Sequence, residues 1–327
     1  MSTISDPTAV EFRAAVRDAL DEELARDENV ILFGEDIAVA GGVFVTTPGL
    51  AEKYGDARVF DTPISELALV GAAFGAAVSG KRPVIEIMFG DFLPLVMDGI
   101  INQATKHWYL SNEQGSCPLV VLSVVGAGGR FGAIHSQTPI GWFHSVPGLK
   151  IACPSNSGDA KSLLKQAIRD DNPVLFLEHK RLLGLKSEVD VDELPFGQAR
   201  IARAGSDLTI VSLMKGVHDS LAAAEELVAE GIDCEVIDLR TIKPLDIATV
   251  VASIERTSRL LVVEEGPLTG GWAGEVMALV TEQGLGSLDD AWRLATADTP
   301  IPYSPPLEDA FLPGSDAIVR SVKERSA

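Results

Sequence analysis

The chain has 327 residues, 46% of them hydrophobic, which is enough for two domains with ordinary cores and excludes a small secreted scaffold. Lysine and arginine total 27 against 47 aspartates and glutamates, and the net charge of −20 opposes binding to nucleic acid or to an anionic membrane. The three cysteines form no C-x-x-C pair, residues 1–11 lack the apolar core of a signal peptide, and no stretch has the roughly 20 apolar residues of a membrane span. The composition therefore predicts a soluble protein of the reducing cytoplasm, with proteins or small molecules as partners.

In the first half of the chain, short apolar runs alternate with longer amphipathic ones. The predicted strands are Val30–Phe33, Val84–Met88, Leu119–Val125 and Val174–Leu177, and the predicted helices are 67–79, 91–110 and 158–170. This alternation is typical of a parallel sheet covered by helices, so the sequence predicts an α/β fold.

The apolar pattern ends after the fourth strand and is followed by the charged run Lys186 to Pro195. We place a linker at 186–206, between a first domain at 1–185 and a second at 207–327. The second domain is predicted to contain strands Leu208–Leu213, Cys234–Leu239 and Leu260–Val263, with helices at 217–230, 245–254 and 272–283. It is thus a smaller α/β unit.

A glycine-rich segment, Gly126 to Gly132, follows the third predicted strand. Glycines let backbone amides approach an anion, but the spacing here matches neither G-x-G-x-x-G nor G-K-[ST], which disfavours a phosphate loop. A flexible active-site loop and an ordinary turn both stay open. His135 follows this segment, where a side chain can reach a ligand, although without a triad or metal spacing beside it a surface histidine is the alternative.

The segment Thr62 to Glu66 leads into the helix predicted at 67–79. Ser65 is placed to cap that helix, and Glu66 would then be a first-turn carboxylate favoured by the helix dipole. Alternatively, apolar neighbours such as Ile64 and Leu67 raise the proton affinity of Glu66, which would let it share a proton with a nitrogen base. The spacing does not decide between these hypotheses.

The run Asp170-Asp171-Asn172-Pro173 lies between a predicted helix and a predicted strand. Asp and Asn side chains favour a turn there, and the proline prevents the helix from continuing. A cation site is the other hypothesis, because the helix end offers free carbonyl oxygens next to these oxygen ligands.

Several segments resemble one protein family, and the resemblance runs from about residue 9 to 323. They are Gly34-Glu35-Asp36, Asp61-Thr62-Pro63-Ile64-Ser65-Glu66, His135-Ser136-Gln137, Val146-Pro147-Gly148-Leu149-Lys150, Val263-Glu264-Glu265-Gly266 and, further out, Arg240 to Asp246 and Pro302 to Ser304. They resemble the beta subunit of the thiamine-diphosphate-dependent component of pyruvate and branched-chain 2-oxo acid dehydrogenase complexes. The resemblance implies a pyrimidine-binding transketolase-type domain followed by a transketolase C-terminal-type domain.

The resemblance implies a role for each candidate side chain. Glu66 matches the glutamate that hydrogen-bonds the aminopyrimidine ring of thiamine diphosphate, which promotes loss of the thiazolium carbon proton and formation of the ylid that attacks a 2-oxo group. Ile64, Met88 and Phe92 match apolar side chains that pack against the pyrimidine. His135 matches a histidine near the reacting substrate.

The resemblance also implies metal ions and partners. Leu119 and Ala167, through their carbonyls, together with Asp170 and Asn172, match a structural monovalent cation site for K⁺. The G-D-G motif with which thiamine enzymes hold the diphosphate and Mg²⁺ is missing from this sequence. An alpha subunit is therefore expected to hold the Mg²⁺ in an alpha2-beta2 heterotetramer, and the chain is expected to be active only in that assembly. The acidic balance also suits a basic lipoyl-bearing acyltransferase.

The expected reaction is decarboxylation of a pyruvate-like or branched-chain 2-oxo acid and transfer of the acyl group to a lipoyl domain. The substrate stays open, because Phe89-Gly90-Asp91 and Trp142-Phe143-His144 look closer to acetoin-dehydrogenase-like relatives. A carboligase or split transketolase using the same ylid is one alternative. A non-catalytic scaffold of the same fold is the other.

Overall fold

The computed structural model describes residues 9–189 and 194–326. Its elements up to residue 188 are β1 (Ala9–Glu11), α1 (Phe12–Arg26), β2 (Val30–Gly34), α2 (Leu50–Tyr54), β3 (Val59–Asp61), α3 (Glu66–Val78), β4 (Arg82–Ile87), α4 (Leu93–Asp98), α5 (His107–Leu110), β5 (Val120–Val125), α6 (Ile140–Phe143), β6 (Lys150–Ala152), α7 (Ser157–Arg169), β7 (Val174–His179) and β8 (Lys186–Glu188). The later elements are β9 (Arg200–Arg203), β10 (Leu208–Ser212), α8 (Lys215–Val228), β11 (Cys234–Asp238), β12 (Thr241–Lys243), α9 (Ile247–Thr257), β13 (Arg259–Pro267), α10 (Ala273–Gly284), β14 (Asp290–Thr296), α11 (Pro305–Phe311) and α12 (Ser315–Ser326).

The chain divides into two compact units. The first runs to Val124 and resumes from Val146 to Phe196, whereas the second contains Val125–Ser145 and starts again at Gly197. The change from one unit to the other at Gly197 falls inside the segment 186–206 that the sequence suggests as a linker, of which residues 190–193 lie outside the described part of the chain. Residues 125–145, which the sequence assigns to the first domain, group with the second unit.

The first unit is built on a parallel sheet whose strands stand in the order β6-β7-β5-β4-β2-β3. The pairs β2–β3, β2–β4, β4–β5 and β6–β7 are all parallel. Every residue of β5 and β7 is buried, because inner strands of a parallel sheet have helices over both faces. That burial explains why these strands are mostly apolar, and the parallel sheet confirms the α/β fold class.

The single helix predicted at 91–110 is wrong. Four short pieces replace it: a 3₁₀ turn (Gly90–Phe92), α4, a π-helical segment (Gly99–Ala104) and α5. In the π segment, the amide and hydroxyl of Thr105 both donate to the carbonyl of Ile100, at 3.0 and 2.7 Å. A side chain at Gly99 would lie 2.6 Å from Val70 Cγ1, so α3 packs too close for any other residue. Apolar periodicity does not reveal such a break.

The second unit has a five-stranded sheet in the order β14-β13-β10-β11-β9, with β9 as an antiparallel edge and the other pairs parallel. Its core is formed by the inner strands against α8 and α12, with Ile210, Val236, Leu261, Leu227 and Ile318 all inaccessible to solvent. The predicted strands at 208, 234 and 260 are confirmed, as are helices at the three predicted places. Over residues 9–189 and 194–326, every helix is too short or too polar to cross a membrane.

Candidate active site

The carboxyl ends of three neighbouring strands define one edge of the first sheet. Gly34 in β2 stands opposite Asp61 in β3 and opposite Glu86 in β4, and all three strands run in the same direction. The segments that follow them therefore leave from the same edge, which is where open α/β sheets bind ligands. Ile64, Glu66, Met88 and Phe92 all lie in these segments. The structure thus brings the pyrimidine-site candidates together.

Glu66 is the first residue of α3 and is half-buried. The expected cap by Ser65 is wrong, because its side chain makes no capping hydrogen bond. Its backbone amide instead donates to the carboxylate of Glu35, which follows β2. Glu66 lies at the positive end of the helix dipole, which agrees with the hypothesis that the dipole favours a carboxylate in the first turn of α3.

Glu35 is a second carboxyl group beside Glu66, and the sequence did not single it out as a chemical group. Only 8% of its surface is exposed, and its Oε1 has no hydrogen-bond partner among the residues that the structure describes. Burial and the negative charge of Glu66 raise the pKa of Glu35, against the lowering effect of the Ser65 amide. Burial, which is the larger cause, and the nearby negative charge both favour the protonated form of Glu35.

The apolar neighbours that the sequence invoked around Glu66 are open to solvent. Ile64 is 85% exposed and Leu67 is 64% exposed. Met88 and Phe92 are half-buried, and Phe92 packs edge-on against Phe89, with ring centroids 5.8 Å apart. Exposed apolar side chains around a buried acid indicate a surface that a further molecule covers.

Two more buried acids, Glu86 in β4 and Glu178 in β7, lie within the same sheet. Burial raises the pKa of Glu86 to about 7, with Thr46 Oγ1 donating to Oε2 at 3.1 Å. Burial and the charge of Glu86 raise the pKa of Glu178 to about 8. Glu86 Oε1 and Glu178 Oε2 have no hydrogen-bond partner in the described ranges. Their signal in the sequence, which the motifs above did not include, is an acid directly after a run of apolar residues within a strand.

His135 is half-buried and lies just after the glycine-rich segment, in the second unit. Its amide approaches the carbonyl of Gly132 at 3.5 Å. The amides of Ala127 and Gly128 are already taken by the carboxylates of Glu265, at 2.7 Å, and Glu308, at 2.9 Å. These hydrogen bonds restrain the start of the segment, and the amides of Ala127 and Gly128 are not available to a phosphate.

A cavity of about 810 Å³ adjoins this loop within the second unit. Its walls come from the loop that follows His135, from the ends of β13 and β14, and from α11. Ser136 lines it, is 1% exposed, and its Oγ has no partner in the part of the chain that the structure describes. The carboxylate of Glu264 accepts from the amides of Trp272 and Ala273, both at 2.9 Å, and burial raises its pKa to about 7.

The predicted cation site lies where α7 ends. Asp170 Oδ1 accepts from the backbone amide of Asn172 at 2.9 Å, and Oδ2 is paired with the ammonium of Lys150. The carbonyl of Leu119 accepts from Val174 at 2.9 Å, and that of Ala167 accepts from Asp170 at 3.3 Å, which leaves each a second lone pair. All of these candidate ligand atoms are oxygens, which suits K⁺. The ammonium of Lys150, however, already neutralises the carboxylate of Asp170. No cluster of three or more His, Cys, Asp or Glu suited to a metal occurs over residues 9–189 and 194–326.

Comparison with known domains agrees with this architecture. Residues 8–186 match the transketolase pyrimidine-binding domain, and residues 197–318 match the transketolase C-terminal domain. A solved structure described as a split-gene transketolase in an inactive beta4 tetramer superposes with a TM-score of 0.81, covering 96% of this chain and 98% of that one. At 22% sequence identity, that likeness concerns the fold. These matches show that the chain has the two-domain architecture of transketolases.

Curated relatives narrow the class. The beta subunit of acetoin:2,6-dichlorophenolindophenol oxidoreductase from Cupriavidus necator is 44% identical, covering 96% of each chain. The mitochondrial pyruvate dehydrogenase E1 component subunit beta of Ascaris suum is 45% identical over 96% of this chain and 90% of its own. The corresponding Rickettsia felis subunit is 42% identical over 96% and 98%. The chain belongs to the family of E1-type beta subunits that contains these proteins.

Proposed function

We propose that this chain is the beta subunit of a thiamine-diphosphate-dependent 2-oxo acid dehydrogenase and contributes the pyrimidine half of a site shared with an alpha subunit. The observation that carries the proposal is Glu66 beside the buried Glu35, at a sheet edge where Ile64 stands 85% exposed. The subunit names of the relatives support the need for a partner chain.

The residues at the edge suit the aminopyrimidine ring. Glu66 would form a hydrogen bond with a ring nitrogen and share a proton with it, and Ile64, Met88 and Phe92 would pack against the faces of the ring. Glu35, whose pKa is raised by burial and by the charge of Glu66, lies beside Glu66 and would serve as a second proton carrier at this edge. Bound thiamine diphosphate supplies the nucleophilic carbon and the electron sink for decarboxylation. His135 would act on the substrate or on the acyl acceptor.

The partner supplies what this chain lacks. The alpha subunit would hold the diphosphate and Mg²⁺ in an alpha2-beta2 heterotetramer, and a lipoyl-bearing acyltransferase would receive the acyl group. The three cysteines are free and buried, which suits the reducing cytoplasm. The Cupriavidus relative specifically favours a second substrate, acetoin.

The direct test separates the chain from its partner. Alone, the chain should bind thiamine diphosphate at least tenfold more weakly than the co-expressed complex, and it should not turn over substrate. Isothermal titration gives the affinity, and reduction of dichlorophenolindophenol with pyruvate, a branched-chain 2-oxo acid or acetoin gives the activity and the substrate. Micromolar cofactor binding by the isolated chain would overturn the shared-site proposal. A complex that binds the cofactor but is inert with all three substrates would point to the carboligase or scaffold alternatives.

The monovalent cation is proposed for the end of α7, and its test depends on Lys150. K⁺ should raise the melting temperature of wild type over choline at equal ionic strength, because a cation that binds only the native state stabilises it, by about 2.7 kcal/mol at 100 times its Kd. The Asp170→Ala and Asn172→Ala variants should lose the K⁺ response.

Lys150→Met is the matched control, because it removes the ion pair with Asp170 and leaves the oxygen ligands in place. It should lower stability yet keep or enlarge the K⁺ response. Equal responses of wild type and Asp170→Ala would count against a cation, and Asp170 would then serve only the ion pair with Lys150.

A further inference from the structure

The loop that carries His135 has an unusual backbone that needs outside support. Gly126, Gly128, Arg130 and Gly132, every second residue, have positive φ angles of 94°, 86°, 65° and 73°. Arg130 has a side chain, so its left-handed conformation is disfavoured unless the surroundings impose it. Neighbouring contacts must therefore hold this conformation.

Glu308 in α11 provides one of those contacts. Its side chain is inaccessible to solvent, its Oε1 accepts from the Gly128 amide at 2.9 Å, and its Oε2 accepts from the Arg130 amide at 3.3 Å and from Arg130 Nη1 at 2.7 Å. The guanidinium also donates to the Pro305 carbonyl at 3.0 Å and, through Nη2, to both oxygens of Asp309 at 2.7 and 2.9 Å. A buried carboxylate is tolerated only when it is paired and hydrogen-bonded in this way.

A second carboxylate closes the base of the same loop. Glu265 Oε1 accepts from the Ala127 amide at 2.7 Å and from Thr138 Oγ1 at 3.3 Å, on either side of the loop. The Gly126 amide donates to the Gln137 carbonyl at 3.3 Å and joins the two ends directly. His135 thus lies between the restraint at Arg130 and the closure at Gln137.

From this arrangement we infer that Glu308 and Arg130 are a positioning pair for His135. The hydrogen bonds that Glu308 forms with Gly128 and Arg130 do not involve the imidazole of His135. They fix the backbone of residues 128–130, and this backbone sets the position from which His135 would reach the substrate. Misplacing a reacting group by about 1 Å can cost as much as 10²-fold in rate. The inference rests on the proposed role of His135, and it adds the device that sets the histidine's position.

The test uses the assembled alpha–beta complex and two measurements. Glu308→Gln keeps one oxygen acceptor but loses the charge and presents an amide group to a donor, so the loop should shift. We expect acyl transfer to a lipoyl domain to fall by about 10- to 100-fold, while exchange of the thiazolium carbon proton, which depends on Glu66, stays within about twofold of wild type. Arg130→Ala leaves the backbone amides in place and should show the same division with a smaller loss. It keeps the test decisive if Glu308→Gln does not fold.

A double variant distinguishes positioning from general support. In a His135→Ala background, Glu308→Gln should cause no further loss of acyl transfer. Both changes remove the same contribution, which is the one made by a correctly positioned His135. Glu230→Gln, which breaks only an exposed pair with Lys323, is the matched control and should change neither measurement.

Four outcomes are diagnostic. An additive loss in the double variant, or equal losses in both assays, would overturn the inference in favour of a structural role. Full acyl transfer in Arg130→Ala and Glu308→Gln, with loss in His135→Ala, would also overturn it and leave the role of His135 intact. Full activity of His135→Ala would remove the proposed function of the histidine itself.

Discussion

Glu66→Gln in the assembled complex is expected to slow exchange of the thiazolium carbon proton by at least ~10²-fold, the usual loss when an acid-base group is removed. Glutamine keeps the size of the side chain and a hydrogen-bonding group, but it cannot share a proton with the ring or with Glu35. Deuterium exchange followed by acid quench and NMR measures this step without any substrate.

His135→Ala is the control for that experiment. It should leave proton exchange unchanged and lower acyl transfer in the lipoyl-domain assay, because the two residues are proposed for different steps. Wild-type exchange in Glu66→Gln would return Glu66 to the role of a first-turn carboxylate at the start of α3. Equal slowing of exchange in His135→Ala would show that both residues serve one step.

The second large effect is a loss of stability as the pH rises, caused by Glu178 and Glu86. The pKa of a glutamate in the unfolded chain is 4.5, whereas burial raises the pKa of Glu178 to about 8 and that of Glu86 to about 7. Between pH 4.5 and 8 the folded chain therefore binds protons that the unfolded chain has released. The stability that these acids contribute is complete below pH 4.5 and is lost as the pH passes through 7 and 8. The free energy of unfolding should fall by a few kcal/mol over that range, because a tenfold change in proton affinity corresponds to about 1.36 kcal/mol.

Glu178→Gln should remove much of this dependence, because glutamine imitates the protonated acid. Thermal melts from pH 5 to pH 9 should show the variant close to wild type at pH 5 and more stable at pH 9. Glu52→Gln, at an exposed position in α2 of the same unit, is the control and should follow wild type. A wild-type slope in Glu178→Gln would mean that the pair stays ionised within the fold.

Much of the fold could be predicted from local pattern. Every residue of strands β5, β7, β10 and β11 is buried, and the apolar residues that this burial requires make these strands stand out in the sequence. The helix α1 was missed although its buried residues Phe12, Val16, Ala19 and Leu20 follow a helical period. The prediction of one helix at 91–110 was wrong for another reason. Gly99 packs closely against Val70 of α3, and a contact with a separate helix cannot be read from the residues of the segment itself.

The sequence by itself determined the fold class, the family and the segments that hold Glu66 and His135, because strand composition and short motifs are local properties. Only the tertiary structure determines which acidic side chains lie close to one another or to the groups that they bind. Glu35 acquires its raised pKa from burial and from Glu66, 31 residues away, and Glu308 reaches Gly128 across 180 residues. Asp170, which the sequence suggested as a turn residue or a cation ligand, also pairs with Lys150 of β6. Burial and charge proximity depend on how strands and helices are arranged in space, and no local pattern of residues records that arrangement.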